Sequence, residues 1–217
     1  MNKKIRGLYA ITPEESSTER LLEKVREALE GGARILQYRN KESDQVYRLW
    51  QADALASLAR AREAIFIVND SIELALATRA DGVHLGKEDG SVAAARKALP
   101  DKIIGVSCYN DLNRAIEAQE EGADYVAFGS AFLSSTKPDA VHASFALYQN
   151  AIHRLSIPVV AIGGITMENA KKLVTSGVDA IAVISGLFDT DNVRFAAEYF
   201  SGLFHKKLNS DNRRGAR

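Results

Sequence analysis

The 217-residue chain has one cysteine, Cys108, so no internal disulfide can form and no zinc cluster can rest on thiolates. It has no excess of either charge: 28 Lys and Arg face 28 Asp and Glu, a net charge of zero with His neutral. A nucleic-acid binder ordinarily shows a basic excess or stripe, so no nucleic-acid partner is expected. No apolar run approaches the roughly 18 residues needed to span a bilayer. The residues after Met1 lack the apolar stretch of a signal peptide. The expectation is a cytoplasmic protein with no membrane partner. What is present is ordinary for a globular chain: 46% hydrophobic and 26% charged residues, which excludes a disordered or collagen-like chain. At roughly 150 residues per domain, one domain is the first reading. A chain of this length buries about 70% of its unfolded surface, enough for a true core.

Short runs rich in Val, Ile and Ala recur at Leu8–Thr12, Arg34–Tyr38, Ile65–Val68, Gly82–Leu85, Ile103–Val106, Tyr125–Phe128, Val159–Ile162 and Ala180–Ile184. Their spacing, about 25 residues, is that of one strand plus one helix. The runs are near-continuous rather than alternating, as parallel strands covered on both faces should be. The segments between them have helical periodicity. Thr18–Glu30 puts Leu21, Leu22, Val25, Ala28 and Leu29 on one stripe, and Asp44 or Ser43, then Asp111 or Asn110, are candidate N-caps. Gly31, Gly122 and Gly177 stand where helices must end in a left-handed residue. Eight such units fit an α/β fold of one domain, a closed (β/α)8 TIM barrel over residues 1–205. An open doubly wound sheet is the alternative. Residues 206–217 are polar and basic without periodicity and read as a frayed, disordered tail.

Polar residues gather just after nearly every strand, and in a barrel those ends share the face where active sites form. Gln37-Tyr38-Arg39-Asn40-Lys41 follows strand two, Asn69-Asp70 strand three, and Asp89 lies beyond strand four. Ser107 follows strand five, Ser134-Ser135-Thr136-Lys137 comes after strand six, and Gly163-Gly164 and Ile184-Ser185-Gly186 follow strands seven and eight. Arg39, Lys41 and Lys137 are cations, while Gln37, Asn69, Ser107 and Thr136 are neutral donors. Joined to the carboxylates of Asp70 and Asp89, they suit a pyrophosphate held with Mg²⁺, which takes one or two carboxylates plus phosphate oxygens and water. The glycine pair beside Ser185 suits a second phosphate bound through backbone N–H groups. His84 has no serine or cysteine near it in sequence and reads as a packed, hydrogen-bonded residue. Cys108 reads as a small apolar one.

In order and at these strand ends, Leu8-Tyr9-Ala10-Ile11-Thr12, Gln37-Tyr38-Arg39-Asn40-Lys41, Val68-Asn69-Asp70, Asp81-Gly82-Val83-His84-Leu85-Gly86, Gly105-Val106-Ser107-Cys108, Ser135-Thr136-Lys137 and Ala161-Ile162-Gly163-Gly164-Ile165 resemble the thiamine-phosphate synthase (thiamine-phosphate pyrophosphorylase) family. The resemblance spans about residues 5 to 204. It implies a (β/α)8 barrel, a transferase of thiamine biosynthesis. Such an enzyme joins 4-amino-2-methyl-5-hydroxymethylpyrimidine diphosphate to 4-methyl-5-(2-phosphoethyl)thiazole, releasing pyrophosphate and thiamine monophosphate. It further implies that Gln37, Tyr38, Arg39, Asn40, Lys41, Asn69, Ser107 and Lys137 contact the pyrimidine diphosphate, with Arg39, Lys41, Lys137 and Ser107 acting in the chemistry. Asp70 and Asp89 would hold one Mg²⁺. Ser134, Ser135, Thr136, Gly164, Ile184 and Ser185 would hold the thiazole phosphate. A homo-oligomer is hinted at.

Two departures stand out. Leu133-Ser134 replaces a common Pro-Thr, and Pro13 stands where the family often has Asp, so that acid's role is expected to be lost or unneeded. The rival on the same scaffold is a thiazole tautomerase, which resembles the synthases but uses a histidine shortly after the strand-five serine. This chain has Tyr109 there and keeps the Asp70/Asp89 pair. A non-catalytic phosphate-binding barrel gives no reason for two acids beside a cationic cluster.

Overall fold

The computed structural model describes residues 5–132 and 141–214. Eight parallel strands close on themselves in chain order: β1 (Gly7–Ile11), β2 (Ile35–Tyr38), β3 (Ile65–Asn69), β4 (Gly82–Leu85), β5 (Ile103–Tyr109), β6 (Tyr125–Phe128), β7 (Val159–Ile162) and β8 (Ala180–Val183). The expected closed barrel is therefore present, and the open sheet is not. Its seam pairs β1 with β8, Gly7 standing against Ala180. Among the described residues the helices are α1 (Thr18–Glu30), α2 (Gln45–Ala61), α3 (Ile72–Ala77), α4 (Val92–Ala98), α5 (Leu112–Glu120), α6 (Phe145–Arg154), α7 (Ala170–Ser176), α8 (Ser185–Phe188) and α9 (Val193–Arg214).

The α1 helix has the bounds its stripe dictates, with Ser17 accepting from Arg20 N at its start and Leu21, Val25, Ala28 and Leu29 buried. Asp44 and Asp111 cap α2 and α5 by the same side-chain bond to an early backbone N–H. Gly122 and Gly177 have positive φ, as the helix ends require. Gly31 does not: its φ is −73°, and the left-handed residue is Gly32, with φ 104°. Gly31 is needed for a different reason. A Cβ there would stand 2.5 Å from Ala197 Cβ and 2.5 Å from the Arg194 carbonyl, so its absence lets α9 pack onto the end of α1. The α9 helix also runs to Arg214, across the stretch from 206 expected to be a frayed tail. An existing helix gains one hydrogen bond for each residue it fixes, so a helix anchored by buried Val193, Ala196, Ala197, Phe200 and Phe204 can extend beyond its packed part.

Side chains alternate strictly across the barrel wall. Leu8, Leu36, Tyr38, Phe66, Val68, Val83, Leu85, Val106 and Cys108 belong to the larger apolar layer between strands and helices. Tyr9, Ile11, Ile35, Ile65, Ile67, Tyr125, Ala127, Val160, Ala180 and Ala182 pack inside the barrel. Burying an Ile or Leu contributes about 1.5–3 kcal/mol, so both layers stabilise the wall. Inside, Gly105 makes room for Tyr125, because a Cβ at Gly105 would lie 2.0 Å from the Tyr125 ring. The same alternation sends Gln37, His84 and Ser107 inward and aims the residues that follow each strand at the mouth.

Candidate active site

At the carboxyl end of β2, Arg39 and Lys41 are on the inward-facing alternation and reach the mouth. Thr12, fully buried after β1, clamps the Arg39 main chain from both sides: it accepts from Arg39 N (2.9 Å) and donates to Arg39 O (3.1 Å). Glu14 accepts from Arg39 Nη1 at 2.9 Å and from Lys41 N at 3.2 Å. An acid is thus present beside Arg39, one position beyond Pro13. Lys41 Nζ lies 3.0 Å from Asp70 Oδ2. These half-exposed pairs contribute only about 0–1 kcal/mol of stability each, so their effect is to aim the cations.

The outward positions of the same segment do something else. Tyr38 is buried against α2 and donates to Gln51 Oε1 at 3.0 Å. Asn40 is also buried; it donates to Ser43 Oγ and Gln51 Oε1, and accepts from the backbone of Glu42 and Ser43. Period-two alternation places both side chains away from the mouth, so they brace the loop. Contact of these two residues with a ligand, as the family resemblance implies, would therefore be through the main chain.

Asn69 ends β3 with its side chain on the inward alternation, and Asp70 follows in a left-handed conformation, φ 64°. Such a conformation is uncommon for a residue with a Cβ and costs of order 1 kcal/mol, less for Asp than for most. The Asp70 amide donates to the His84 carbonyl at 2.8 Å, which ties the turn to β4. From the next loop Asp89 folds back, accepting from Gly86 N at 2.7 Å. A Cβ at Gly86 would stand 2.7 Å from Asp89 Oδ2, so glycine permits that return. The Asp70 and Asp89 carboxyls are close enough to influence each other's charge. Burial first, and then Asp70, hold the Asp89 carboxyl above the usual aspartate range.

Ser107 sits where β5 has a register shift against β6, between Ser107 and Tyr109. Arg114 grips this corner, donating to Ser107 O at 2.9 Å and Gly86 O at 3.3 Å. Ser107 Oγ lies 2.9 Å from His84 Nε2, so a serine does stand beside His84, which its sequence neighbourhood did not show. The pair is still no nucleophilic set. The other ring nitrogen, Nδ1, meets the Tyr125 hydroxyl at 2.9 Å instead of a carboxylate. Burial pushes the imidazole down to about 4, so it is a poor proton acceptor.

That depressed value has a consequence for stability. The unfolded chain takes up a proton near the ordinary histidine value of 6.5, whereas the folded chain resists until about 4. Stability from this group is therefore full above 6.5 and is lost as the pH falls from there toward 4. Wild type should lose about 2–3 kcal/mol more than His84→Gln between neutral pH and about pH 4.5 in denaturant titrations. Equal losses would contradict the assignment.

On the opposite wall, Gly163 and Gly164 follow β7 with φ 98° and 62°, and Ile184-Ser185 follow β8, its barrel neighbour. Asn169 Nδ2 holds the Gly164 carbonyl at 2.9 Å. Ile184 packs into the barrel interior, and Ser185 begins α8. A Cβ at Gly186 would lie 2.2 Å from the Ile165 carbonyl, so the two loops touch backbone to backbone. Gly164, Ile184 and Ser185 are thus brought together as expected. Ser134, Ser135, Thr136 and Lys137 lie outside the described residues.

The mouth accordingly presents cations and two acids on one wall and two glycine-bearing loops, in backbone contact, on the other. The thiamine monophosphate synthase family pattern matches residues 8–187. The chain belongs to the thiamine monophosphate synthase family. A thiamine-phosphate synthase of Methylobacillus flagellatus is 52% identical over 202 residues, covering 93% of this chain and 96% of the relative. One of Chromobacterium violaceum is 50% identical over 205 residues, covering 94% and 99%. Among solved structures, thiamine phosphate pyrophosphorylase from Pyrococcus furiosus superimposes with a TM-score of 0.84 at 38% identity, covering 92% of this chain and 96% of that one. Glu14, Arg114 and Tyr125 were not singled out in the sequence, and Tyr9 and Thr12 only as marks of the resemblance, without a role in the site. Within this family of barrels their roles are set by contacts across strands, for which the sequence offers only their positions near strand ends. No helix among the described residues is long and apolar enough to cross a membrane.

Proposed function

We propose that Arg39, Lys41, Asn69 and Ser107 hold the pyrimidine diphosphate, with Asp70 and Asp89 holding Mg²⁺ beside it, and that Gly164, Ile184 and Ser185 hold the thiazole phosphate. Gln37 lies beneath the first set, at the floor of the mouth. The observation that carries this reading is a pair of neighbouring carboxyls, Asp70 and Asp89, with Lys41 Nζ 3.0 Å from Asp70 and Arg39 on the same wall. Two neighbouring acids fit a hard divalent cation, which needs oxygen ligands and would relieve the repulsion between them. When bound, that ion supplies charge neutralisation for phosphate oxygens.

The activity is that of a thiamine-phosphate synthase, a transferase. The methylene carbon–oxygen bond of the pyrimidine diphosphate breaks, and its electron pair leaves with pyrophosphate. The aminopyrimidine ring stabilises the cation left behind. The thiazole nitrogen then donates its lone pair to the methylene carbon. That nitrogen carries no proton, so no general base is needed, which agrees with a His84 held neutral by burial. Arg39 and Lys41 meet the charge that grows on the leaving group and act most strongly in the transition state. Glu14 and Thr12 keep the Arg39 fork aimed, and the thiazole is held from the facing wall. The working compartment is the cytoplasm. Mixing the two substrates with Mg²⁺ should yield thiamine monophosphate and pyrophosphate. Folded protein that gives neither product, or that only isomerises the thiazole, would overturn the reading.

A further inference from the structure

Five polar side chains inside the barrel are joined end to end. Gln37 Nε2 donates to the Tyr9 hydroxyl at 2.7 Å, and the Tyr9 and Tyr125 hydroxyls bond to each other at 2.7 Å. The Tyr125 hydroxyl meets His84 Nδ1 at 2.9 Å, and His84 Nε2 meets Ser107 Oγ at 2.9 Å. One residue comes from each of β2, β1, β6, β4 and β5, so the chain of bonds crosses the interior beneath the mouth. Tyr9, Tyr125 and His84 are buried, and the His84 ring stacks on Tyr125 with centroids 5.5 Å apart. Among the described residues neither His84 nitrogen meets a carboxylate.

We propose that this chain of hydrogen bonds runs in one direction, from Gln37 to Ser107, and so fixes Ser107 as a hydrogen-bond donor toward the mouth, with Tyr9, Tyr125 and His84 as positioning residues. The reason is a count of hydrogens. Each hydroxyl has one to give. Tyr9 accepts from Gln37, and its own hydrogen goes to the Tyr125 oxygen. Tyr125 then gives its hydrogen to His84 Nδ1. A neutral imidazole that accepts at Nδ1 carries its hydrogen on Nε2, which donates to Ser107 Oγ. Ser107 accepts from below, and its own hydrogen is left for the ligand. In the reverse direction either the Gln37 carboxamide would be turned over or the buried Tyr9 hydroxyl would accept twice and leave its own hydrogen without a partner. Ser107 would spend its hydrogen on His84 and show only lone pairs to the mouth. That would set oxygen against oxygen with any phosphate. Successive bonds polarise one another in a dry interior, so the whole chain strengthens the last donor.

The part concerning the ligand rests on the diphosphate reading above; the direction itself does not. Histidine-selective 15N NMR of the substrate-free protein tests the direction, with the His84 signal assigned by its loss in His84→Gln. Protonation on Nε2 is expected, and protonation on Nδ1 would overturn the proposal. Tyr9→Phe and Tyr125→Phe remove single oxygens without changing ring size. In each, the fixed tautomer should give way to a mixture. KM for the pyrimidine diphosphate should rise roughly tenfold with KM for the thiazole phosphate unchanged. If either variant fails to fold, the other and the wild-type tautomer still decide. An unchanged tautomer in a folded variant, or equal effects on both substrates, would refute the positioning role. Failure of the diphosphate reading would appear separately, as a wild type that makes no thiamine monophosphate yet still shows the Nε2 tautomer.

Discussion

Chelating divalent metal is expected to abolish turnover, and Mg²⁺ to restore it. The Asp70 and Asp89 carboxyls sit side by side, and burial together with Asp70 holds Asp89 in its protonated form more firmly than usual. Lys41 offsets part of this at 3.0 Å from Asp70. Two acids set side by side next to a cationic wall are expected to serve the chemistry. Asp70→Asn and Asp89→Asn should each lower kcat by about a hundredfold or more, equivalent to about 3 kcal/mol of transition-state stabilisation. Stability should move the other way for Asp89→Asn. The amide keeps an oxygen for the Gly86 N–H and removes a charge that burial disfavours, so the melting temperature should hold or rise. Full activity in excess chelator would defeat the metal assignment. So would a variant that loses activity only because it has lost its fold.

The second large effect is a crossed pattern between the two walls. Gly164 has φ 62°, so any side chain there is strained, a β-branched one most of all. Gly164→Ala is the cleaner probe, at a cost near 1 kcal/mol of stability; Gly164→Val adds bulk at the same point. Both should raise the apparent KM for the thiazole phosphate, the valine variant by tenfold or more, on the order of 1.4 kcal/mol. KM for the pyrimidine diphosphate should change little. Lys41→Ala should do the reverse, because Lys41 sits on the wall of Arg39 and Asp70. Steady-state kinetics with each substrate varied in turn, on variants shown to be folded, measure this. A Gly164 variant that weakens only the pyrimidine diphosphate would show the two-wall map to be wrong.

The strands were legible in the sequence because parallel strands buried on both faces leave short apolar runs that little else resembles. Seven of the eight are within one residue of their apolar runs; β5 runs on through its register shift to Tyr109. The same continuity hid which residues face inward, since apolar side chains occupy both faces of the wall. Tyr38 and Asn40 could not be told from Gln37, Arg39 and Lys41 until the alternation was anchored to the barrel. Charged residues after several strands were legible as a candidate site because a barrel brings all those strand ends to one face, where a lone charged residue would read only as a solvated loop. Thr12, Glu14 and Arg114 were not, because each works through main-chain or cross-strand contacts between residues far apart in sequence. The glycines divide similarly: Gly122 and Gly177 follow a local rule about helix ends, whereas Gly31 answers to α9, more than 160 residues away.

The seam between β1 and β8 bears on how the protein is made. As the chain leaves the ribosome, β1 can pair with β2 early, but its other edge waits until β8 has emerged. For most of synthesis the nascent chain therefore carries a bare strand edge flanked by Leu8, Tyr9, Ala10 and Ile11, the kind of edge that recruits foreign strands. Closing a loop of this length costs little more entropy than closing one half as long. The hazard is thus one of time: the barrel spends its birth unsealed, and speed of completion, or shelter by a chaperone, guards it until the last strand arrives.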